Sequence, residues 1–194
     1  MSGKTRTVTD KSVLEAAMRI TEKRGLSNLN IQHLAAELGL KAPSLYNHIK
    51  GIDEVKAMVA VSAINYMEKL MREAAIGYAR EEALFRVACA VRDFAAGHPE
   101  LYKAVNLFPM LSPGEYRKIL GLHMNVLHRI LDTYKLGNNA RTQFILAFRS
   151  GLHGFVLLEA VGAFGDNSSL DESFKKMIKH LIKMLESKGN GKKN

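Results

Sequence analysis

Apolar residues recur at intervals of three and four along nearly the whole chain, no run of alternating β-branched residues appears, and only four prolines (Pro43, Pro99, Pro109, Pro113) interrupt the pattern. That spacing lines apolar side chains along one face of a helix and patterns no segment as a strand, so the expected fold is all-α. Thr9 or Asp10 can cap a first helix near 10–24 that buries Val13, Ala17 and Ile20, and Gly25 can take the positive φ that ends it. Further helices are expected near 31–38, 43–49, 53–75, 80–97, 100–108, 113–134, 140–164 and 170–187. The breaks fall at Gly77, Gly97-His98-Pro99, Pro109, Gly137-Asn138-Asn139 and Gly165-Asp166-Asn167, which makes about nine helices.

At 194 residues, 47% hydrophobic and 24% charged, the chain has the length and composition of one globular domain, or of a small module joined to a larger one; disorder as the dominant state is excluded. A single cysteine, Cys89, cannot form an intramolecular disulfide, and the N-terminus lacks the apolar core of a signal peptide, so a reducing cytoplasm is expected. The longest apolar stretch, around 143–165, is interrupted by Arg149, His153 and Glu159, which argues against a membrane span. The net charge of +9 is uneven: eight basic against four acidic residues over 1–50, thirteen against twelve over 51–170, and seven against three over 171–194. A basic end can be a nucleic-acid footprint, an anionic-lipid contact or a soluble tail. The tail over 188–194 is expected to be frayed and solvated.

The strongest local signal lies between residues 30 and 50. Asn30 can cap a short helix in which Ile31, Leu34, Ala35 and Leu38 form one apolar stripe. Gly39 supplies a positive φ, Leu40 plugs the core at the turn, and Pro43 sits where a new helix tolerates a missing N–H. In that second helix Leu45 and Ile49 face inward. Ala42, Pro43, Ser44, Tyr46, Asn47 and His48 are left on a small, polar outer face, with Lys41 and Lys50 at its ends. Such a face suits a helix entering a major groove, where residues near its start meet base edges and hydroxyl, imidazole and ammonium groups meet phosphates.

The run Asn30-Ile31-Gln32-His33-Leu34-Ala35-Ala36-Glu37-Leu38-Gly39-Leu40-Lys41-Ala42-Pro43-Ser44-Leu45-Tyr46-Asn47-His48-Ile49-Lys50, with Ala16-Ala17-Met18-Arg19-Ile20 and Lys23-Arg24-Gly25 before it, resembles the DNA-binding segment of the TetR (tetracycline-repressor-like) family of bacterial regulators. The Leu-Tyr-x-His-x-Lys string is its specific part. The resemblance, specific over about residues 10–56, implies a three-helix DNA-binding domain over 1–56 and a larger helical ligand-binding and dimerisation domain over 57–194. It further implies a homodimer that represses transcription from an inverted repeat in duplex DNA until a small-molecule effector releases it. By position, Tyr46, His48 and Lys50 match residues that hold phosphates, and Ala42, Pro43, Ser44 and Asn47 match those facing bases; Asn30, Gln32 and Lys41 complete the expected DNA-binding set. Asn30 stands where the family usually has Thr, which keeps the cap, and Ile52 stands where it usually has Lys, which removes one phosphate contact.

In the second domain Gly151, Gly154, Leu158 and Gly162 share roughly one helical face, and small residues there admit a close neighbour. With a last helix burying Phe174, Met177, Ile178, Leu181 and Leu185, this suggests a four-helix dimer interface that includes His153 as a hydrogen-bonded histidine. The stretch around His153-Gly154, and His98-Pro99-Glu100-Leu101-Tyr102, also resemble the branch of the family marked by a Trp-His-Gly signature, although Leu152 replaces the Trp.

Phe94, Tyr102, Phe108, Met110, Met124, Phe148 and Phe155 can line a pocket for a mainly apolar effector oriented by Asn125, His128 or Arg149; the same side chains can equally be core. His123 and His128 lie five residues apart, about 140° around a helix, which does not suit a shared metal. Cys89 reads as core filler. No cofactor or metal is expected, and no nucleophile triad, carboxylate pair or phosphate loop suggests an enzyme. The alternative to a regulator is an all-α interaction scaffold without sequence-specific DNA binding.

Overall fold

The computed structural model of the chain describes residues 8–105, 125–165 and 169–189. Among these residues lie nine α-helices and no strand: α1 (Asp10–Arg24), α2 (Ile31–Leu38), α3 (Ala42–Leu45), α4 (Ile52–Ala75), α5 (Arg80–Gly97), α6 (Pro99–Val105), α7 (Asn125–Asp132), α8 (Asn138–Ala160) and α9 (Leu170–Gly189), with a single 3₁₀ turn at Leu26–Asn28. The all-α expectation holds. The expected elements over 106–124, with Phe108, Met110 and Met124, lie outside the described residues.

Two helices end four residues short of the sequence expectation. The third helix stops at Leu45 rather than 49, because the chain tightens into three-residue turns in which the amide of Asn47 donates to Ser44 (3.3 Å) and that of His48 to Leu45 (2.9 Å). Helix α8 stops at Ala160 rather than 164: Gly162 takes φ +68°, and the amide of Ala163 reaches back to the carbonyl of Leu158 at 2.9 Å. Gly162 therefore terminates the helix instead of belonging to its face.

The described residues form two compact units, 8–65 with 98–105 and 66–97 with 125–189. In the first, α1 buries Val13, Ala16, Ala17 and Ile20, α2 buries Leu34 and Ala35, and α4 contributes Val55, Val59, Ala63 and Ile64. Helix α6, distant in sequence, completes this core with Leu101, Tyr102 and Val105. It docks on the end of α1: His98 Nδ1 lies 2.9 Å from Glu22 Oε1, and Glu100 lies so near Gly25 that a β-carbon there would meet its Oε2 at 2.8 Å. Gly25, at φ +81°, both turns the chain and makes room.

The second unit packs α5, α7, α8 and α9 around Leu84, Val91, Phe94, Leu131, Phe148, Phe155, Phe174 and Ile178. Its main polar tie is Arg92, which donates through Nε to Glu159 Oε2 and through Nη2 to Asp171 Oδ1, both at 2.8 Å, while its guanidinium lies over the Phe174 ring at 4.7 Å. Three helices thus meet at one planar cation.

Candidate nucleic-acid interface

The helix pair in the first unit is set by its caps. Thr9 Oγ1 accepts from the Ser12 amide and Ser12 Oγ accepts from the Thr9 amide, a reciprocal box that starts α1. Asn30 Oδ1 accepts from the His33 amide at 2.9 Å and starts α2. His33 Nδ1 lies 2.7 Å from the Asn28 carbonyl, which can only accept, so that ring nitrogen carries the proton. Gly39 ends α2 at φ 70°, ψ 28°, and the Leu40 amide returns to Ala35 at 2.8 Å. Arg19 on α1 ties down α2 by donating to Glu37 at 2.9 Å, and this hydrogen bond holds the Glu37 carboxyl below its ordinary range.

Leu45 and Ile49 are buried and anchor the segment that follows. Between and after them Tyr46 is 58% exposed, and Pro43, Ser44, Asn47, His48 and Lys50 are exposed with it; Lys41 and Gln32 are exposed, while Ala42 and Asn30 are half-buried. An exposure of that size leaves more than half of the tyrosine open to solvent. Tyr46, Asn47, His48 and Lys50 line one side of an open recess of about 450 Å³, whose other walls are Asp10 and Val13 of α1 and Glu54 and Met58 of α4.

Glu54 is a member that the sequence reading missed. Its Oε2 accepts from the Lys50 amide at 2.8 Å, so the end of the turn is braced by the start of α4. The signal was present, since a Glu at the third position of a helix commonly reaches back over its N-terminus. The exposed residues over 46–50, the turn and α4 are thereby connected through one carboxylate.

The remaining expected site residues divide between the units. Phe94, Phe148 and Phe155 are buried in the second, whereas Tyr102 is buried in the first. Asn125 and His128 are exposed on α7, and Arg149 is half-buried on α8. Gly151, His153 and Gly154 are half-buried on α8, as are Met177 and Leu181 on α9. Phe174, expected at the interface, is interior instead: it is 1% exposed and packs on Phe155 and beneath Arg92. Exposed apolar side chains missed in the sequence are Leu146, Leu157 and Val161 beside Leu158, with Met184 on α9.

Burial, followed by the charge of Arg149, holds His153 below its ordinary pKa, and burial pushes the Cys89 thiol up, away from a reactive thiolate. Among the described residues no group of three or more His, Cys, Asp or Glu is placed to hold a metal, and no helix is long and apolar enough to cross a membrane.

Two short helices joined at a left-handed glycine, the second followed by an exposed polar face, define a helix-turn-helix regulator within an all-α chain. A family model described as "Tetracyclin repressor-like, C-terminal domain" matches residues 84–181. The chain is 31% identical over 177 residues to an uncharacterized HTH-type transcriptional regulator of Mycobacterium tuberculosis, covering 91% of this chain and 81% of that protein. It is 25% identical over 181 residues to another uncharacterized HTH-type transcriptional regulator, from Bacillus subtilis, covering 92% and 93%. Its fold is similar to that of a TetR protein from Acinetobacter baumannii solved in complex with minocycline, with a TM-score of 0.69, 16% identity, and coverage of 95% of this chain and 100% of that one. The chain belongs to the TetR family of transcriptional regulators.

Proposed function

We propose that the chain is a homodimeric cytoplasmic repressor that holds an inverted-repeat operator and is released from it by a small, mainly apolar ligand. The observation that carries the DNA-binding part is the cluster Tyr46, Asn47, His48 and Lys50, exposed around one recess and anchored by Leu45 and Ile49. An interaction scaffold would need the buried pair but not the outward tyrosine, imidazole and ammonium. In this reading residues 1–56 are the DNA-binding domain and 57–194 the ligand and dimer domain. Tyr46, His48 and Lys50 hold phosphates, and Ala42, Pro43, Ser44 and Asn47 face bases, with Asn30, Gln32 and Lys41 at the edges of the contact.

The dimer reading is supported by the apolar surface of α8 and α9: Leu146, Leu157, Leu158, Val161 and Met184 are each at least 39% exposed. Gly154 and His153 lie on the same helix, and a two-fold pairing of these helices would cover them. The ligand reading rests on the aromatic side chains of the second unit and on the minocycline bound by the A. baumannii relative. Selection of bound sequences from a random duplex pool by the purified protein tests the function. Recovery of one inverted repeat, held against competitor DNA, is the expected result, and recovery of no preferred sequence favours the scaffold.

A further inference from the structure

Glu68, on α4, is 7% exposed and is the one charged side chain buried among the described residues. Elsewhere the chain answers an enclosed charge in full. Arg92 meets Glu159, Asp171 and the Phe174 ring, and Glu159 in turn has both of its oxygens taken by that guanidinium. Carboxylates with a single basic partner one helical turn away, such as Glu73 with Lys69 and Glu82 with Arg86, stand in solvent, where water hydrates whatever the partner does not. Glu68 has neither arrangement. Its Oε2 accepts from Arg72 Nη2 at 3.0 Å, and Arg72 is itself 58% exposed. Its Oε1 accepts from no described residue.

A carboxylate taken out of water needs donors to replace the water it has lost, and one exposed guanidinium on one oxygen replaces little of it. Few partners would complete it. An anion is repelled. A metal ion needs several ligands, and among the described residues no group of three or more His, Cys, Asp or Glu is placed to supply them. A neutral hydroxyl satisfies an oxygen but leaves the charge uncompensated, whereas a protonated amine or amidine does both. Flanking Glu68 on the helix are Met67 and Met71, both buried, and thioether side chains adapt to apolar bodies of varied shape. The helix gives the position a second meaning. Fourteen residues earlier, about 21 Å along α4, Glu54 holds the Lys50 amide beside the exposed residues over 46–50.

We infer that Glu68 is the polar anchor for the effector, and that the effector is an apolar molecule bearing a protonated amine or amidine whose N–H groups are taken up by Oε1. This rests on the reading of the chain as a ligand-released regulator and narrows the class of ligand. The full-length protein is titrated at neutral pH with octylamine, octanol and octanoate, which share one apolar body and differ in the head group, and operator affinity is measured with each. Calorimetry and thermal melting read the binding. Wild type should bind the amine at least about tenfold more tightly than the alcohol and the acid least of all. Glu68→Gln, which keeps the shape and loses the charge, should bring amine and alcohol to within about threefold of one another. Arg72→Gln should tighten the amine by about threefold, because the cation competing for the carboxylate is gone. If the Glu68→Gln protein melts early, Arg72→Gln carries the comparison. Should Glu68 and Arg72 form a structural pair only, both substitutions move the melting temperature and neither changes the affinity of any probe; that result, or no binding of the amine by the wild type, overturns the inference. Release of operator by the alcohol or the acid, without preference for the amine, also overturns it and leaves the ligand-released regulator standing. An amine held through Glu68 that leaves operator affinity unchanged keeps the site and removes the release.

Discussion

A β-carbon on Gly151 would lie 2.8 Å from Cδ1 of Leu181, whereas one on Gly154 would meet no atom of the described residues within 4 Å. The two glycines are three residues apart on α8 yet answer different needs. Gly151 admits α9 of the same chain, and Gly154 leaves space that no described residue of its own chain fills.

That difference separates folding from assembly. Gly154→Leu should leave the fold intact, because a leucine is a better helix former than glycine, but should push a partner helix away and yield monomers. At Gly151 an alanine can be met by rotation of Leu181, while Gly151→Leu should cost about 1–3 kcal/mol through overpacking. Sedimentation and thermal melting measure the two effects. A Gly154→Leu protein that remains dimeric removes this face from the interface.

Contacts to phosphates and to bases should respond differently to substitution. Lys50→Ala and Tyr46→Phe should weaken binding to all duplexes alike and, for Lys50→Ala, lower the salt slope by about 1. Asn47→Ala should relax the preference at one base position by about 1–3 kcal/mol. Base preference that changes with Lys50→Ala and survives Asn47→Ala would mean that the two roles are reversed.

Arg92 joins Glu159 and Asp171 while covering the Phe174 ring, and it is itself only 19% exposed. Its removal leaves Glu159 without its partner beside an apolar core, so Arg92→Met should destabilise the protein by about 2–3 kcal/mol. Arg92→Lys should recover only a part, because an ammonium cannot reproduce the two-pronged contact. Denaturant unfolding reads both values; a full recovery by lysine would reduce the site to simple charge pairing.

His153 introduces a pH dependence. Its folded-state pKa is held below 6.5, so as pH falls the unfolded chain takes up the proton first. The stability it contributes is complete above that value and declines as pH drops below it. Melting temperature should therefore decrease between about pH 7.5 and 5.5, and His153→Asn should flatten that decrease. An unchanged profile in the variant would place the titration elsewhere.

A ligand can act on DNA binding only by its differential affinity for two conformations. Hydrophobic small molecules that raise the melting temperature should also weaken operator binding, through a tilt of α4 that changes the spacing of the recognition helices. Against a groove repeat of about 34 Å, a misfit of a few ångströms suffices to lose one half-site. Hits that stabilise the protein and leave operator affinity unchanged would separate a pocket from the proposed coupling.

Much of the first unit was readable before any coordinates. The caps at Thr9 and Asn30, the left-handed Gly39 and the inward Leu45 and Ile49 depend on residues within about one helical turn, and helical geometry places such neighbours whatever the rest of the chain does. Glu54 belongs to the same class and could have been read from its position at the start of α4. The end of α3 could not, because the choice between four-residue and three-residue hydrogen bonds over 45–49 turns on small differences that packing decides.

The sequence by itself determined the all-α class, the helix-turn-helix and the residues on its outer face, since periodicity and caps are local properties of the chain. Only the tertiary structure decided which distant segments share a core. It brought His98 to Glu22 across 76 positions and Arg92 to Glu159 across 67, put Phe174 inside its own unit, and gave Gly151 to Leu181 while leaving Gly154 open. Apolar periodicity says that a face is buried but is indifferent to what buries it; the partner is selected by side-chain volume and by the pairing of buried charge, which exist only once the helices have packed.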